Sequence, residues 1–531
     1  WRLDASKMNR ALYLACPDPD VTDLQLTAKT ILTSITAKYD QIARIDDSII
    51  NSLAAAYFSL HEHIKSQSQY NNYFGLRDFY SLIKGVVREL VQRTDDNQIY
   101  ENIRQQITIN FDGSFDGSLY IWEYFCRDLN KLQLYEQYKS STPFDKILDK
   151  CMSSRTGRYL MLIGENESVI DYAEQYITKK FQPPPMRTLI GSCFPDDLIE
   201  GVTYSEQYNY RVLMDVILYA ETSVTLIMRR MGHLYDNLYD LFNQSFAVSG
   251  SKQYCRIPLG PLYHPRCLVH EDFYCVVFVR QQDLEKCDPP FLNRFEKHVI
   301  NMESLVHQRH WSITTNLISW LRKLLPTNTD IAQNFPLLQH LFVDYSHDFI
   351  CNLVIDACTY LRINIDDDLD EKLDQIEAIQ EFCKQRLIHT SSFDFPLVLS
   401  LKSTDECTTL ITQYYEFHEN ISFANLIQNT NQLQTIDNQI IYTYTQIYHQ
   451  IECIKSNEFV EEIKLSNFKT ELEFTNKIKE HYRSKANNRL LLIRIDYHEE
   501  HEYILLLKHI LLNEHVSDSN RGIWLIFHLQ R

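Results

Sequence analysis

Two stretches of this chain carry the same three chemically capable residues at the same spacing. In LDASKMNR, residues 3–10, Asp4 is followed by Asn9 and Arg10; in CDPPFLNR, residues 287–294, Asp288 is followed by Asn293 and Arg294. The copies lie 284 residues apart. An Asp, with Pro behind it in the second copy, suits the N-cap of a short helix, because its carboxylate can accept from the orphan backbone N–H groups of the first turn. The Arg then falls at the far end of that helix. A guanidinium on so rigid a mount can reach a phosphate on a neighbouring body. A capped surface helix ending in a solvated Arg uses the same letters, but two copies with one internal spacing point to repeated architecture. A third candidate is Arg77, in GLRDFY, at the start of a helical stretch. It reads either as an exposed helix-start Arg or as a second phosphate sensor on a helical lid.

The elements that must position these groups alternate along the chain. Residues 21–93 read as three amphipathic helices, with apolar residues at i, i+3 and i+4. From 158 the pattern changes to short apolar runs separated by helices: RYLMLIG, RTLIG, SVTLIM and FYCVVFV are strands, while ESVIDYAEQYITKKF, YSEQYNYRVLMDVILYAE and GHLYDNLYDLFNQSF are helical. Continuous apolar strands alternating with helices imply a parallel sheet covered on both faces, a doubly wound α/β domain. Residues 303–430 return to helix, and then QIIYTYT, EEIKLS, RLLLIRIDY and IWLIFHL resume the alternation. The first strand of this second set begins 281 residues after the first strand of the earlier one, close to the offset of the Arg motif. This period, an α/β domain followed by a helical one, resembles the layout of an AAA+ unit with its lid.

The chemistry such a unit needs for hydrolysis is missing. A working phosphate loop, G-x-x-x-x-G-K-[ST], follows the first strand so that backbone N–H groups, a Lys and Mg²⁺ neutralise the phosphates. Here that strand runs into IGENESVIDYAE, with Glu165 and Glu167 where phosphate would sit. The third strand, which should end in a metal-binding Asp and a water-activating Glu, ends in LIMRRMG; Arg229 and Arg230 cannot bind a metal. In the second set Asp496 closes its strand with Glu499 and Glu500 nearby, but no phosphate loop precedes it, and it reads as the cap of the next helix. Neither α/β domain is expected to hydrolyse nucleotide alone. Arg10, Arg294 and Arg77 remain as groups acting on nucleotides held elsewhere. An Arg finger is effective because it meets charge that develops only in the transition state.

Composition narrows the classes. With 531 residues the chain exceeds one core, and the length prior is roughly three or four domains. Lys plus Arg number 52 against 70 Asp plus Glu, a net charge of −18 that disfavours a general nucleic-acid surface. No window approaches a membrane-spanning run and no signal pattern opens the chain, so a soluble protein without a transmembrane segment is expected. Trp1 opens inside a motif and Arg531 follows a strand-like run, as expected of a piece of something larger. The 13 Cys are scattered without C-x-x-C spacing, and His264, His270, His298, His307 and His310 lack ligand spacing. Neither a disulfide framework nor a metal site is expected.

LDASKMNRALYL, NYFGLRDFYSLIKGV, RYLMLIG, HLYDNLYDLFNQSF, PPFLNRFEKHVINM and SFANLIQ together resemble the motor core of the mysterin-type giant AAA+ RING ubiquitin ligases. The resemblance implies tandem AAA+ units, parallel doubly wound sheets separated by all-helical lids. Residues 1–20 would end a fourth unit's large subdomain, 21–150 would be its lid and linker, 151–302 a degenerate fifth α/β domain, 303–430 its lid, and 431–531 a truncated, degenerate sixth. It further implies a ubiquitin-protein ligase parent with AAA+ ATPase activity. ATP and Mg²⁺ would be held in neighbouring units, with none bound at this chain's own degenerate sites, and zinc would lie in RING and finger modules outside the chain. Arg10 and Arg294 would be trans arginine fingers and Arg77 a sensor-2-like contact to the first unit's ATP. Adjacent AAA+ units would be the immediate partners, a ubiquitin-conjugating enzyme and substrate proteins would be reached through absent domains, and the location would be cytoplasmic with lipid-droplet association. Two rivals stand beside it. One is a purely structural α/β and helical scaffold; the other, a dynein-like motor, would need sustained stalk heptads that the sequence lacks.

Overall fold

The computed structural model describes residues 18–37, 47–66, 73–92, 99–111, 121–128, 144–154, 157–182, 184–199, 203–260, 263–325, 331–343, 345–363, 373–402, 404–419, 426–427, 436–443, 459–484, 489–515 and 520–529. The first copy of the Arg motif, with Arg10, lies outside them. The strands among the described residues are β1 Tyr159–Gly164, β2 Met186–Ile190, β3 Thr225–Arg229, β4 Ala247–Ser249, β5 Lys252–Arg256, β6 Arg266–Val269, β7 Tyr274–Arg280, β8 Phe295–Ile300, β9 Gln439–Thr443, β10 Val460–Lys464, β11 Leu490–Asp496 and β12 Gly522–His528. The chain divides into two compact bodies. One gathers residues 1–163, 242–244 and 283–299; the other gathers 164–241, 245–282 and 300–531.

In the first body, helices Val21–Thr36, Asp47–Ser66 and Leu76–Gln92 appear where the apolar periodicity placed them. Asp20 opens the first with a reciprocal capping box to Asp23. Ile50, Leu53, Ala54, Tyr57, Leu60 and Ile64 fill one buried stripe of the second. Tyr57 stacks on Phe79 at 4.8 Å, and Phe74 and Phe125 each pack on Phe111, so an aromatic core joins the helices. Strands β1 and β8 are neighbours in their sheet. FEKH, after the CDPPFLNR turn, carries no apolar run that would mark a strand. It is nevertheless the start of a strand, and because Glu296, Lys297 and His298 are all buried, the charged letters had hidden it.

In the second body β2, β3 and β7 run parallel in that order, with Met186 opposite Thr225 and Thr225 opposite Tyr274. β10, β11, β12 and β9 form a second all-parallel sheet in that order. The triplets β2-β3-β7 and β10-β11-β12 therefore repeat one arrangement, and β9 begins 280 residues after β1. β3, β11 and β12 are buried along almost their whole length, as parallel strands covered on both faces must be. Two features depart from the sequence reading. GHLYDNLYDLF is a 3-10 helix, Gly232–Leu238, running into a one-turn helix, Tyr239–Phe242, with Leu234, Tyr235 and Leu238 buried. An antiparallel β4-β5-β6 sheet follows it, turned at Gly250 with φ +62°, and its short strands gave no apolar run to read.

Between the sheets lies a helical domain from Met302 to Glu419, its core built on Leu317, Leu321, Phe342, Val354, Ile379 and Leu387. The two α/β portions of this body are joined directly. Phe194, in the segment after β2, is fully buried in the core that contains Leu465, Phe474, Ile478 and Leu507, with its ring edge-on to Tyr503 at 5.1 Å. No helix among the described residues is long and apolar enough to cross a membrane.

Candidate functional site

The helix Glu167–Lys180 begins where a phosphate loop would end. Asn166 caps it, its Oδ1 accepting from Val169 N at 3.1 Å, while its Nδ2 donates to Asp348 Oδ2 at 2.6 Å. The turn before it is tight: a Cβ on Gly164 would lie 2.6 Å from Ile170 Cγ1. The first-turn carboxylate, Glu167, is where an anion would gain from the helix dipole and free N–H groups. Glu165 beside it is exposed.

Three arginines converge on Glu167. Arg229, the last residue of β3, pairs with it through Nη2 at 2.5 Å and through Nη1 with Asp171 and Glu174, both at 2.7 Å. Arg230 pairs with it through Nε at 2.8 Å and Nη2 at 2.5 Å. Arg280, the last residue of β7, lies 3.8 Å away. The Arg229 side chain is only 4% exposed. Burial disfavours its charge, yet Asp171, Glu167 and Glu174 outweigh that and raise its pKa. For Glu167, burial pushes upward, but Arg230 and Arg229 prevail and hold the carboxyl below its ordinary value. Asp171 ends above its ordinary value because burial exceeds what Arg229 supplies. The cluster is thus charge-balanced internally, and a buried guanidinium stands at the strand end where Mg²⁺ needs a carboxylate.

The cluster also extends into the other α/β portion of the same body. Arg230 Nη1 donates to the Glu502 carbonyl at 2.6 Å, and Arg280 Nη1 approaches the Glu502 carboxylate at 3.6 Å. Arg230 adopts φ +55°, a conformation that a non-glycine residue holds only at a cost, so the surrounding packing must fix it. Gly191 shows how: its N–H donates to Arg229 O at 2.9 Å, and a Cβ there would lie 2.0 Å from Arg230 O.

A second polar contact joins the same two portions. Asp197 Oδ2 accepts from Ser192 Oγ at 2.6 Å and from Glu471 N at 2.8 Å, and Arg211 Nη2 meets Glu471 Oε1 at 2.9 Å. Burial pushes Glu471 up to about 7 despite Arg211. Between pH 4.5 and 7 the folded chain therefore holds a proton that the unfolded chain has released, and stability falls as pH rises through that window. Stability is expected to drop by up to about 3 kcal/mol across it, and Glu471→Gln is expected to flatten that part of the pH–stability curve.

The family described as "RNF213 AAA domain" matches residues 149–306. Those residues are similar to an RNF213-type AAA domain. The chain as a whole is similar to "E3 ubiquitin-protein ligase RNF213" of Homo sapiens, 24% identical over 97% of this chain and 10% of that protein. It is similar also to "E3 ubiquitin-protein ligase rnf213-beta" of Danio rerio, 28% identical over 64% of this chain and 6% of that protein. It spans about a tenth or less of the length of these curated relatives. A solved structure, a closed-state reconstruction of Hsp104 with ATPyS and FITC casein, overlaps 75% of this chain and 73% of that one at 10% identity. Its TM-score of 0.24 is too low to bear on the fold.

Within the matched residues, Arg294 follows the one-turn helix Pro289–Leu292 as the sequence suggested. Asp288 occupies the N-cap position but makes no side-chain capping bond; the prolines at the helix start leave fewer N–H groups for it to accept from. Arg294 is 7% exposed, and its Nη1 donates to Pro290 O in its own turn. Arg77, on the helix Leu76–Gln92, donates to Asn243 Oδ1. In the second sheet Asp496 caps Tyr497–Glu500 by accepting from His498 N at 3.0 Å. Sequence reasoning missed Arg280 and Glu502. Arg280 was accessible in principle, as the polar residue ending FYCVVFVR just as Arg229 ends its strand, whereas nothing in the sequence places Glu502 against it.

Proposed function

We propose that this chain is a non-hydrolysing part of the AAA+ core of a giant ubiquitin-protein ligase, serving neighbouring ATP-hydrolysing units as ring scaffold and arginine donor. The observation that carries the reading is the Glu167 carboxylate bound by Arg229 and Arg230 at the head of the helix after β1. A nucleotide would have to displace those ion pairs and would meet Asp171 and Glu174 at close range. In this reading Arg10 and Arg294 are trans fingers, Arg77 contacts the ATP of the first unit, to whose lid it belongs, and ATP with Mg²⁺ is held by neighbouring units. Zinc belongs to modules elsewhere in the parent. A ubiquitin-conjugating enzyme and substrate proteins are met through those modules, in the cytoplasm and at lipid droplets. The proposed units divide at residues 20, 150, 302 and 430.

Photolabelling the intact protein with azido-ATP tests the empty-site half of the reading. Label is expected in neighbouring units and not in peptides covering residues 159–180. Label within those peptides overturns it. The burial of Arg294 and its bond to Pro290 O favour a second reading, in which the arginine only braces its own turn. ATP turnover of the Arg294→Ala variant separates the two.

A further inference from the structure

In the first body, the start of the helix that carries Arg77 and the turn that carries Arg294 are held by a single carboxylate. Asp78 is fully buried. Its Oδ1 accepts from Arg158 Nη1 at 2.7 Å and from Lys297 Nζ at 3.0 Å, and its Oδ2 accepts from Gly75 N at 2.8 Å. The same two cations also reach the turn. Arg158 Nη1 donates to Asn293 O at 3.2 Å, and Lys297 Nζ donates to Leu292 O at 3.3 Å. These carbonyls belong to the two residues immediately before Arg294. Backbone and side chain also meet closely at this point, for a Cβ on Gly75 would lie 2.7 Å from Asn293 Nδ2.

Each part of this arrangement needs the carboxylate. Without its negative charge, Lys297 and Arg158 would face each other in a buried site whose remaining carboxylate is Glu296, at 3.2 Å from Arg158 N, and the attraction holding them against the Leu292 and Asn293 carbonyls would weaken. We infer that Asp78 is a positioning residue that fixes Arg77, one residue before it, and Arg294 in one block, so that the two arginines shift together. The inference rests on the nucleotide role proposed above for those arginines.

Hydrogen exchange in the intact protein tests the block without reference to that role. Asn293 N donates to Pro289 O and Arg294 N to Phe291 O, so both amides report on the turn. Asp78→Asn keeps the side-chain volume and an acceptor for Gly75 but removes the charge. It is expected to speed exchange at both amides at least tenfold while the β3 amides of the second body are unchanged. Unchanged exchange in the turn overturns the inference. If that variant does not fold, Arg158→Lys keeps the charge while losing the planar fork, and carries the same expectation.

ATP turnover supplies the second arm. Arg77→Ala and Arg294→Ala are each expected to lower kcat at least tenfold, with the double variant losing less than the product of the two. In the Asp78→Asn background the two losses are expected to multiply, an outcome that a purely structural Asp78 does not produce. A loosened turn with both arginine variants fully active overturns the nucleotide role and leaves the block itself standing.

Discussion

Arg229→Met is expected to cost about 3–5 kcal/mol, read as exchange of the β3 amides accelerated a hundredfold or more. Methionine fills much of the volume, so packing alone predicts a small effect. What decides the outcome is charge. Arg229 neutralises Asp171 and Glu174 through one nitrogen and Glu167 through another. With it gone, Glu167 keeps Arg230 and, more distantly, Arg280, but the other two carboxylates lose their short cationic contact. Asp171 is already pushed up by burial, so it is expected to take up a proton first. Adding Asp171→Asn and Glu174→Gln is then expected to recover most of the loss. Coupling among residues in one ion network is large enough to make these changes far from additive. Equal losses in Arg229→Met and the triple variant would instead point to packing.

What the letters gave away in this chain depended on how fully a strand is buried. The runs at β1, β3, β7, β11 and β12 are apolar because both sheet faces are covered, and all of them were legible. β8 was not, because FEKHVI buries charged residues that find their partners 138 and 219 residues away, Glu296 at Arg158 N and Lys297 at Asp78. Sequence reading treats such residues as surface, since the carboxylate and the backbone that offset their burial are distant in the chain. The pseudo-site was half legible for the same reason. Glu167 and Arg229 sit at positions fixed by strand and helix ends, so both could be placed from the sequence. That the two would neutralise each other, with Arg230 bent through a positive φ to reach Glu502, depends on tertiary placement.

Asp78→Ala is expected to cost the first body about 3–5 kcal/mol, because it takes from the buried Lys297 ammonium the carboxylate it donates to, while Arg158 keeps Glu296 nearby. Lys297 has no exposed side-chain surface, and burial lowers its pKa to about 8 even with Asp78 at 3.0 Å. Without the carboxylate, the Lys297 pKa falls further, and the variant's deficit is expected to shrink as pH is raised through the shifted value. Adding Lys297→Met to Asp78→Ala removes the stranded ammonium and is expected to recover at least half of the loss, whereas independent sites would make the second change additive or worse. The aromatic faces of Tyr73 and Phe74, 5.3 and 5.6 Å from Lys297 Nζ, offer the cation only partial compensation. Exchange at the β8 amides, measured for wild type, the single variants and the double variant, completes the cycle. A double variant as unstable as the sum of the singles would show that Asp78 and Lys297 contribute separately rather than as a pair.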